Sequence, residues 1–312
     1  VIIAVFPGQG SQTPGFLAPW LELDGARERL EQYSELAQVD LVVAGTEWDA
    51  ERIRDTQVAQ PLIVAASLLS WHALLSSHEL GSATAPRPAG VAGHSVGEIA
   101  ALVASDVLSD ADGMRLVGLR GRAMAEAAAL EETGMSAVLG GDQDAVVARL
   151  AELDLTPANY NGGGQIVAAG ALPALAELAS APPAATRVIP LQVAGAFHTR
   201  FMAPAVDALR AATGDVSASA PSFTLWTNSD GSVVDDGRAA LDLLVAQVAS
   251  PVRWDLCMAS FAEHGVTGII EFSPAGTLTG LAKRALRGTP TVAVKTPDDL
   301  AAAAALLTGD DA

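Results

Sequence analysis

The six residues Gly93-His94-Ser95-Val96-Gly97-Glu98 constrain this chain more than any other stretch. Gly90-Val91-Ala92 before them reads as the end of a short apolar strand, and residues 98–104 after them read as helix. A strand that enters a helix through Gly-x-Ser-x-Gly is the pattern of a nucleophile elbow, in which the serine sits on a sharp turn with its hydroxyl projecting. Glycines on both flanks leave room for that turn. The Val96 N–H, at the start of the helix, then points at the oxygen on which charge would develop during attack by Ser95. The plainer alternative is a serine in an ordinary Gly-rich strand-helix connection. The strand-turn-helix context favours the catalytic reading.

An elbow of this kind belongs to a parallel α/β sheet. Val1-Ile2-Ile3-Ala4-Val5-Phe6 lacks polar alternation, as a central parallel strand covered on both faces requires. It runs into Pro7-Gly8-Gln9-Gly10-Ser11-Gln12, at the carboxyl end of the strand, where α/β sheets place their ligands. Gly8 and Gly10 allow close backbone approach, which makes the Gln9 N–H a candidate second oxyanion donor. No lysine follows these glycines, so the loop is not a phosphate-binding P-loop. Helical patterns cover 25–36, 59–75 and 110–129, the second opening on Gln60-Pro61, where proline suits a first turn. On the third, Arg120 and Met124 share a face and Arg122 points elsewhere.

From residue 134 the pattern changes to strand 135–139, helix 144–153, strands 156–161 and 165–170, helix 172–179 and strand 187–191. That order, β-α-β-β-α-β, is ferredoxin-like. A chain of 312 residues is long for one compact domain, so 131–193 is read as a small subdomain inserted into a larger α/β unit formed by 1–130 and 194–312. Further strands are expected at 223–226, 268–272 and 291–294, and an Ala-rich terminal helix follows Leu300 and frays through Gly309-Asp310-Asp311. There is no internal repeat and no long linker.

The net charge of −18 argues against nucleic acid or an anionic membrane as partner, since both require basic surface. The N-terminal apolar run is too short to span a membrane. Positive charge is concentrated at Lys283, Arg284 and Arg287, either a docking face for an acidic partner or a solvated helix face. The single cysteine, Cys257, lies in an apolar run, rules out an internal disulfide and fits a reducing compartment. Ser95 needs a base. His72, His78 and His264 fall in helical, exposed stretches, and alternation at the elbow aims His94 away from the serine. His198 alone follows a strand end in a Gly/Ala/Phe loop, where it is either the base or a packing residue.

Pro7-Gly8-Gln9-Gly10-Ser11-Gln12, the 93–98 elbow, Arg120-Gly121-Arg122-Ala123-Met124, Asn159-Tyr160-Asn161 and Gly195-Ala196-Phe197-His198, in this order, resemble the malonyl-CoA:acyl carrier protein transacylases. They also resemble the related acyltransferase domains of polyketide synthases. The resemblance runs from Ile2 to about Pro297, nearly the whole chain, and five ordered motifs are far more specific than one. It implies a hydrolase-like α/β subdomain with a parallel-sheet core, whose gorge opens against the ferredoxin-like subdomain. It implies Ser95 as nucleophile, His198 as base, the N–H groups of Gln9 and Val96 as oxyanion hole, and Arg120 as receptor of the malonyl carboxylate, with Met124 beside it. A main-chain carbonyl near Gln247, in place of an Asp carboxylate, orients the histidine in such enzymes.

The implied reaction is ping-pong transfer of malonyl from malonyl-CoA, through malonyl-Ser95, to the phosphopantetheine thiol of an acyl carrier protein, supplying fatty acid synthesis. It needs no metal or other cofactor, coenzyme A being part of the substrate. Phe197 resembles the malonyl-selective form of the polyketide domains and is expected to crowd the substrate α-carbon, although Gly195 replaces a larger residue found there. Asn159 and Asn161 either line the pantetheine path or close a strand end. The whole is expected to be a cytoplasmic monomer, and a chain that begins almost at the Gly-Gln-Gly loop is expected to stand alone. The alternatives are a polyketide synthase acyltransferase, a serine esterase or thioesterase, and a non-catalytic carrier-binding module. Arg120 weighs against the esterase, and intact Ser95, His198 and Arg120 weigh against the last.

Overall fold

The computed structural model describes residues 1–77, 80 and 85–309. The N-terminal apolar run forms β1 (Ile2–Phe6), followed by α1 (Ala26–Ala37), α2 (Leu41–Thr46) and α3 (Thr56–Leu75). The elbow joins β2 (Gly90–Gly93) to α4 (Gly97–Ala104), and α5 (Asp110–Ala128) follows. Next come β3 (Thr133–Gly140), α6 (Gln143–Glu152), β4 (Thr156–Gly162), β5 (Gln165–Ala171), α7 (Leu172–Ser180) and β6 (Thr186–Pro190). The remainder is α8 (Ala203–Thr213), β7 (Thr224–Trp226), β8 (Val233–Val234), α9 (Gly237–Gln247), α10 (Trp254–Glu263), β9 (Gly268–Glu271), α11 (Thr277–Ala285), β10 (Thr291–Ala293) and α12 (Leu300–Thr308).

Two sheets result. The larger has the order β10-β9-β1-β2-β7-β8, parallel throughout except for the edge strand β8. The absence of alternation in β1 has the expected cause. Ala4 and Phe6 pack into one apolar cluster with α3, α4 and α5, while Ile3 and Val5 pack into a second with Trp226, Trp254 and Phe261. Both faces of the strand are therefore covered. The second sheet is wholly antiparallel in the order β4-β5-β3-β6. One of its faces is covered by α6 and α7 through Val138, Val146, Leu150, Ile166 and Leu178, and from the other Met135 and Val167 reach the main core.

The two sheets are tied together by backbone and side-chain hydrogen bonds. Tyr160 donates its N–H to Val252 O at 2.9 Å, and Val252 donates to Ala158 O at 2.9 Å, so edge strand β4 is hydrogen-bonded to the segment leaving α9. At the return crossing, Thr133 Oγ1 accepts the Ala196 N–H at 3.0 Å. A Cβ on Gly195 would lie 2.7 Å from Ala128 Cβ, so this position needs glycine for a close approach to α5.

Several expectations are corrected. The helix expected at 59–75 begins at Thr56, where the Asp55 carboxylate accepts the Gln57 N–H, so Pro61 lies inside the helix and not in its first turn. Of the helices, α3 is long and apolar enough to cross a membrane, and most of it is buried in the core, against α5 and α4. His72 is only partly exposed and pairs with Asp110 at 2.9 Å. The expectations for His78, Asp310 and Asp311 lie outside the described residues.

Candidate active site

The elbow places strain on its serine. Ser95 has φ of +53°, a left-handed conformation that costs a non-glycine residue about 1–3 kcal/mol and persists only where the surroundings enforce it. The flanking glycines are required for a different reason. A Cβ on Gly93 would lie 2.0 Å from the Gly97 carbonyl carbon, and one on Gly97 would lie 2.2 Å from Phe6 O. They let strand, turn and β1 pack backbone to backbone. Asn228 pins the turn by accepting the Ser95 N–H at 2.8 Å and donating its amide to Gly93 O at 2.7 Å.

His198 comes to the serine from 103 residues further along the chain. Its Nε2 is 2.7 Å from Ser95 Oγ, and its Nδ1 is 2.9 Å from Gln247 O. A carbonyl oxygen only accepts, so Nδ1 carries the hydrogen and Nε2 presents a lone pair to the serine hydroxyl. Burial, then the neighbouring Arg120 charge, push the imidazole down to about 3, which keeps it neutral and basic-side free. Among the described residues neither the Gln9 nor the Val96 N–H has a protein acceptor. Both donors are thus available to an oxyanion.

Arg120 is buried, with 1% of its surface exposed. It donates from Nη1 to Gln60 Oε1 at 2.7 Å and from Nη2 to Gln247 Oε1 at 3.0 Å, and Nη2 lies 3.5 Å from Ser95 Oγ. Its Nε is without a partner among the described residues. Burial lowers its pKa to about 10, opposed by the charge of Glu98, so it remains a cation at neutral pH. Buried guanidinium groups are ordinarily paired. Here the partners are neutral amides, which leaves a cation beside the nucleophile with capacity for an anion.

Ser95, His198 and Arg120 open into a cleft of about 250 Å³. Gln9, Val96, Met124, Phe197, Asn159 and Asn161 all line it, so the expected substrate residues converge. His94 departs from expectation. Its ring does turn from the catalytic pair, toward Trp254, but it remains in the same cleft and reaches Asn161 Oδ1 through Nε2 at 2.9 Å. Burial lowers its pKa, so it too is neutral. Lys283, Arg284 and Arg287 are exposed and contribute nothing to the floor of the cleft. Of the three, Arg284 reaches its rim, donating to Gln165 Oε1 at 3.2 Å, and Gln165, like Leu281 of α11, lines the cleft.

Residues 3–304 match the acyl transferase domain family. The chain belongs to that family.

The acyltransferase is 53% identical over 300 residues to the malonyl CoA-acyl carrier protein transacylase of Mycobacterium tuberculosis, covering 96% of this chain and 98% of the relative. It is 35% identical to the Escherichia coli K12 enzyme of the same name, over 96% and 97% of the two chains. Its fold superposes on the crystal structure of MCAT from M. tuberculosis with a TM-score of 0.93, covering 97% and 100% of the chains. A malonyl-transacylase in complex with a type II PKS acyl-carrier protein superposes with a TM-score of 0.90 at 30% identity, over 99% of each chain.

Three residues of this acyltransferase site carry no role in the sequence reading. Gln60 reads there only as a helix opener and Asn228 does not figure in it, yet Gln60 contacts Arg120 and Asn228 contacts Ser95. Glu98 closes the elbow motif without an assigned task. It is buried, and its carboxylate accepts the Asn228 N–H at 2.5 Å and the Gln247 side-chain amide. For Glu98 the available signal was a carboxylate in the first turn of an otherwise apolar helix, a position that must find partners if buried.

Proposed function

We propose that this acyltransferase moves the malonyl group from malonyl-CoA to the phosphopantetheine thiol of an acyl carrier protein, supplying extender units for fatty acid synthesis. The observation that carries this reading is Arg120: a buried cation, held by neutral amides, 3.5 Å from the nucleophile. Its planar fork suits the distal carboxylate of a malonyl group, whereas a neutral acyl chain offers it nothing.

In this reading His198 Nε2 takes the Ser95 proton as Oγ attacks the thioester carbonyl. The Gln9 and Val96 N–H groups hold the oxyanion, each donor being worth about 3–4 kcal/mol in such sites. The tetrahedral intermediate collapses with loss of coenzyme A, whose thiolate receives the proton from His198, leaving malonyl-Ser95. The carrier thiol then gives its proton to His198 and attacks the ester, and collapse returns the proton to Ser95. Met124 and Phe197 flank the acyl group, Asn159 and Asn161 the pantetheine path, and Gln247 O orients the base. Coenzyme A enters as part of the substrate, and no metal or further cofactor takes part.

The chain is read as a hydrolase-like subdomain, 1–130 and 194–312, with a ferredoxin-like insertion at 131–193, the cleft lying between them. The exposed Lys283, Arg284 and Arg287 are assigned to docking of the acidic carrier. The acidic surface suits a cytoplasmic monomer with no nucleic-acid or membrane partner.

Intact-protein mass spectrometry after brief incubation with malonyl-CoA, methylmalonyl-CoA or acetyl-CoA tests the reading. A malonyl adduct formed preferentially from malonyl-CoA and absent in Ser95→Ala supports nucleophile, intermediate and substrate class together. Equal adducts from all three would remove Arg120 as selector. Rapid release of free malonate without a thiol acceptor would favour a thioesterase.

A further inference from the structure

The three parts of the site that must be held in register meet at one buried carboxylate that the reaction does not use. Glu98 Oε1 accepts the Asn228 N–H at 2.5 Å, and the Asn228 side chain holds the Ser95 N–H and Gly93 O. Glu98 Oε2 accepts from Gln247 Nε2, which also lies 3.3 Å from both Ser95 O and Asn228 Oδ1. The other end of that amide, Gln247 Oε1, accepts from Arg120 Nη2 at 3.0 Å. Carboxylate, amide and guanidinium thus form a line in which each group dictates the polarity of the next.

The polarity is the important feature. An amide placed between two groups can be turned either way, and only its neighbours decide which end is oxygen. A carboxylate at one end demands N–H, so the oxygen faces Arg120. In its ionised form Glu98 also places the negative charge that balances Arg120 one side chain away from it. Glu98 and Arg120 stabilise each other's charges without direct contact. A carboxylate bound directly to the fork would occupy the position a substrate carboxylate needs.

We propose that Glu98 is a positioning residue for substrate selection: by fixing the Gln247 amide it holds the Arg120 fork in the orientation that receives the acyl carboxylate. This rests on the reading of Arg120 as receptor of that carboxylate. The second oxygen of Glu98 anchors the nucleophile turn through Asn228, so selection and attack share one support.

The test is Glu98→Gln, assayed at about pH 9, where Glu98 is ionised and Arg120 still a cation, for acylation of Ser95 by malonyl-CoA and by p-nitrophenyl acetate, a neutral acyl donor with no carboxylate for Arg120. The new amide oxygen still accepts the Asn228 N–H, so the turn keeps its anchor. The new amide nitrogen faces Gln247 Nε2 and forces that amide to reverse, presenting N–H to Arg120. The expected result is a fall of about ten- to a hundredfold in kcat/KM for malonyl-CoA, mainly through KM, with acylation by p-nitrophenyl acetate essentially unchanged. In a Gln247→Ala background, which has no amide to turn, Glu98→Gln is expected to add little further loss toward malonyl-CoA.

Equal losses toward both donors, or a full further loss when Glu98→Gln is added to Gln247→Ala, overturns the proposal. If Glu98→Gln alone does not fold, Gln247→Ala decides: a loss confined to malonyl-CoA supports the proposal, and an unchanged preference between the donors overturns it. Arg120→Ala separates the two levels of argument. If it leaves the ratio between donors unchanged, the reading of Arg120 fails and takes the proposal with it. If it lowers the ratio while Glu98→Gln does not, only the role of Glu98 falls.

Discussion

His198 Nδ1 is bound to the main-chain oxygen of Gln247 at 2.9 Å, where a Ser-His-Asp arrangement would have a carboxylate. A carbonyl orients the ring and fixes its tautomer as well as a carboxylate does, but supplies no full negative charge to stabilise the imidazolium that forms during attack. The residue is further held by its main-chain N–H, which donates to Val248 O at 3.2 Å. Orientation of the His198 ring therefore belongs to the backbone at the end of α9.

Side-chain truncation at 247 should consequently leave the base in place. Gln247→Ala is expected to keep acylation by p-nitrophenyl acetate within about tenfold of the parent, whereas His198→Ala loses at least ~10³-fold. Pre-steady-state burst kinetics measures both. A loss in Gln247→Ala as large as that in His198→Ala would show that the side chain, and not the carbonyl, orients the ring.

The pH dependence should lack the usual histidine limb. Burial and Arg120 hold His198 near 3, far below its ordinary 6.5. Acylation by the neutral ester is expected to stay flat from about pH 8 down to about pH 5, where an exposed imidazole would already be protonated. For stability the sign is the opposite of a gain. Between 6.5 and about 3 the unfolded chain binds a proton that the folded one excludes, so His198 costs stability progressively as pH falls through that window. A break in the acylation profile near 6.5 would contradict a buried base.

Selection for malonyl should titrate separately. Burial pushes the Glu98 carboxyl up to about 8, against the opposing influence of the Asn228 N–H, Arg120, Thr227 and Gln247, the groups that face it. As pH falls through about 8 the carboxyl gains a proton, one of its two acceptor contacts is lost, and the Gln247 amide is released. KM for malonyl-CoA is expected to rise on the acid side and fall on the alkaline side, while the neutral ester is unaffected. Glu98→Gln should abolish this dependence, and its persistence in the variant would assign it elsewhere.

Gly97→Ala tests the close approach of elbow and β1. The added Cβ would lie 2.2 Å from Phe6 O, and relief requires movement of backbone on both sides. A loss of about 1–3 kcal/mol or more is expected from overpacking of this kind, read by denaturant unfolding. A stability equal to the parent's would mean that the turn has more room than the structure allows.

Reversing the charges of Lys283, Arg284 and Arg287 should raise KM for the acidic carrier protein and leave KM for malonyl-CoA nearly unchanged. The difference should shrink with added salt, because exposed charges are screened over about 10 Å at 0.1 M. Equal effects on both substrates would remove the docking role.

The amino-acid sequence by itself determined the local parts. The unbroken apolar run at Ile2–Phe6 and the buried stretch expected at Gly268–Glu271 became parallel strands of the larger sheet, and the alternating elements between β3 and β6 appeared in the expected order. The Gly-x-Ser-x-Gly pattern marked the turn because glycine spacing and strand-helix context are local properties. The tertiary structure decided which distant groups meet. Gln60, Asn228 and Gln247 come from three separate elements, and only the packing of α3, α9 and the loop after β7 around the elbow brings them to Arg120, Ser95 and Glu98. Buried polar side chains choose partners by desolvation and geometry across the fold, and neither periodicity nor spacing along the chain records that choice.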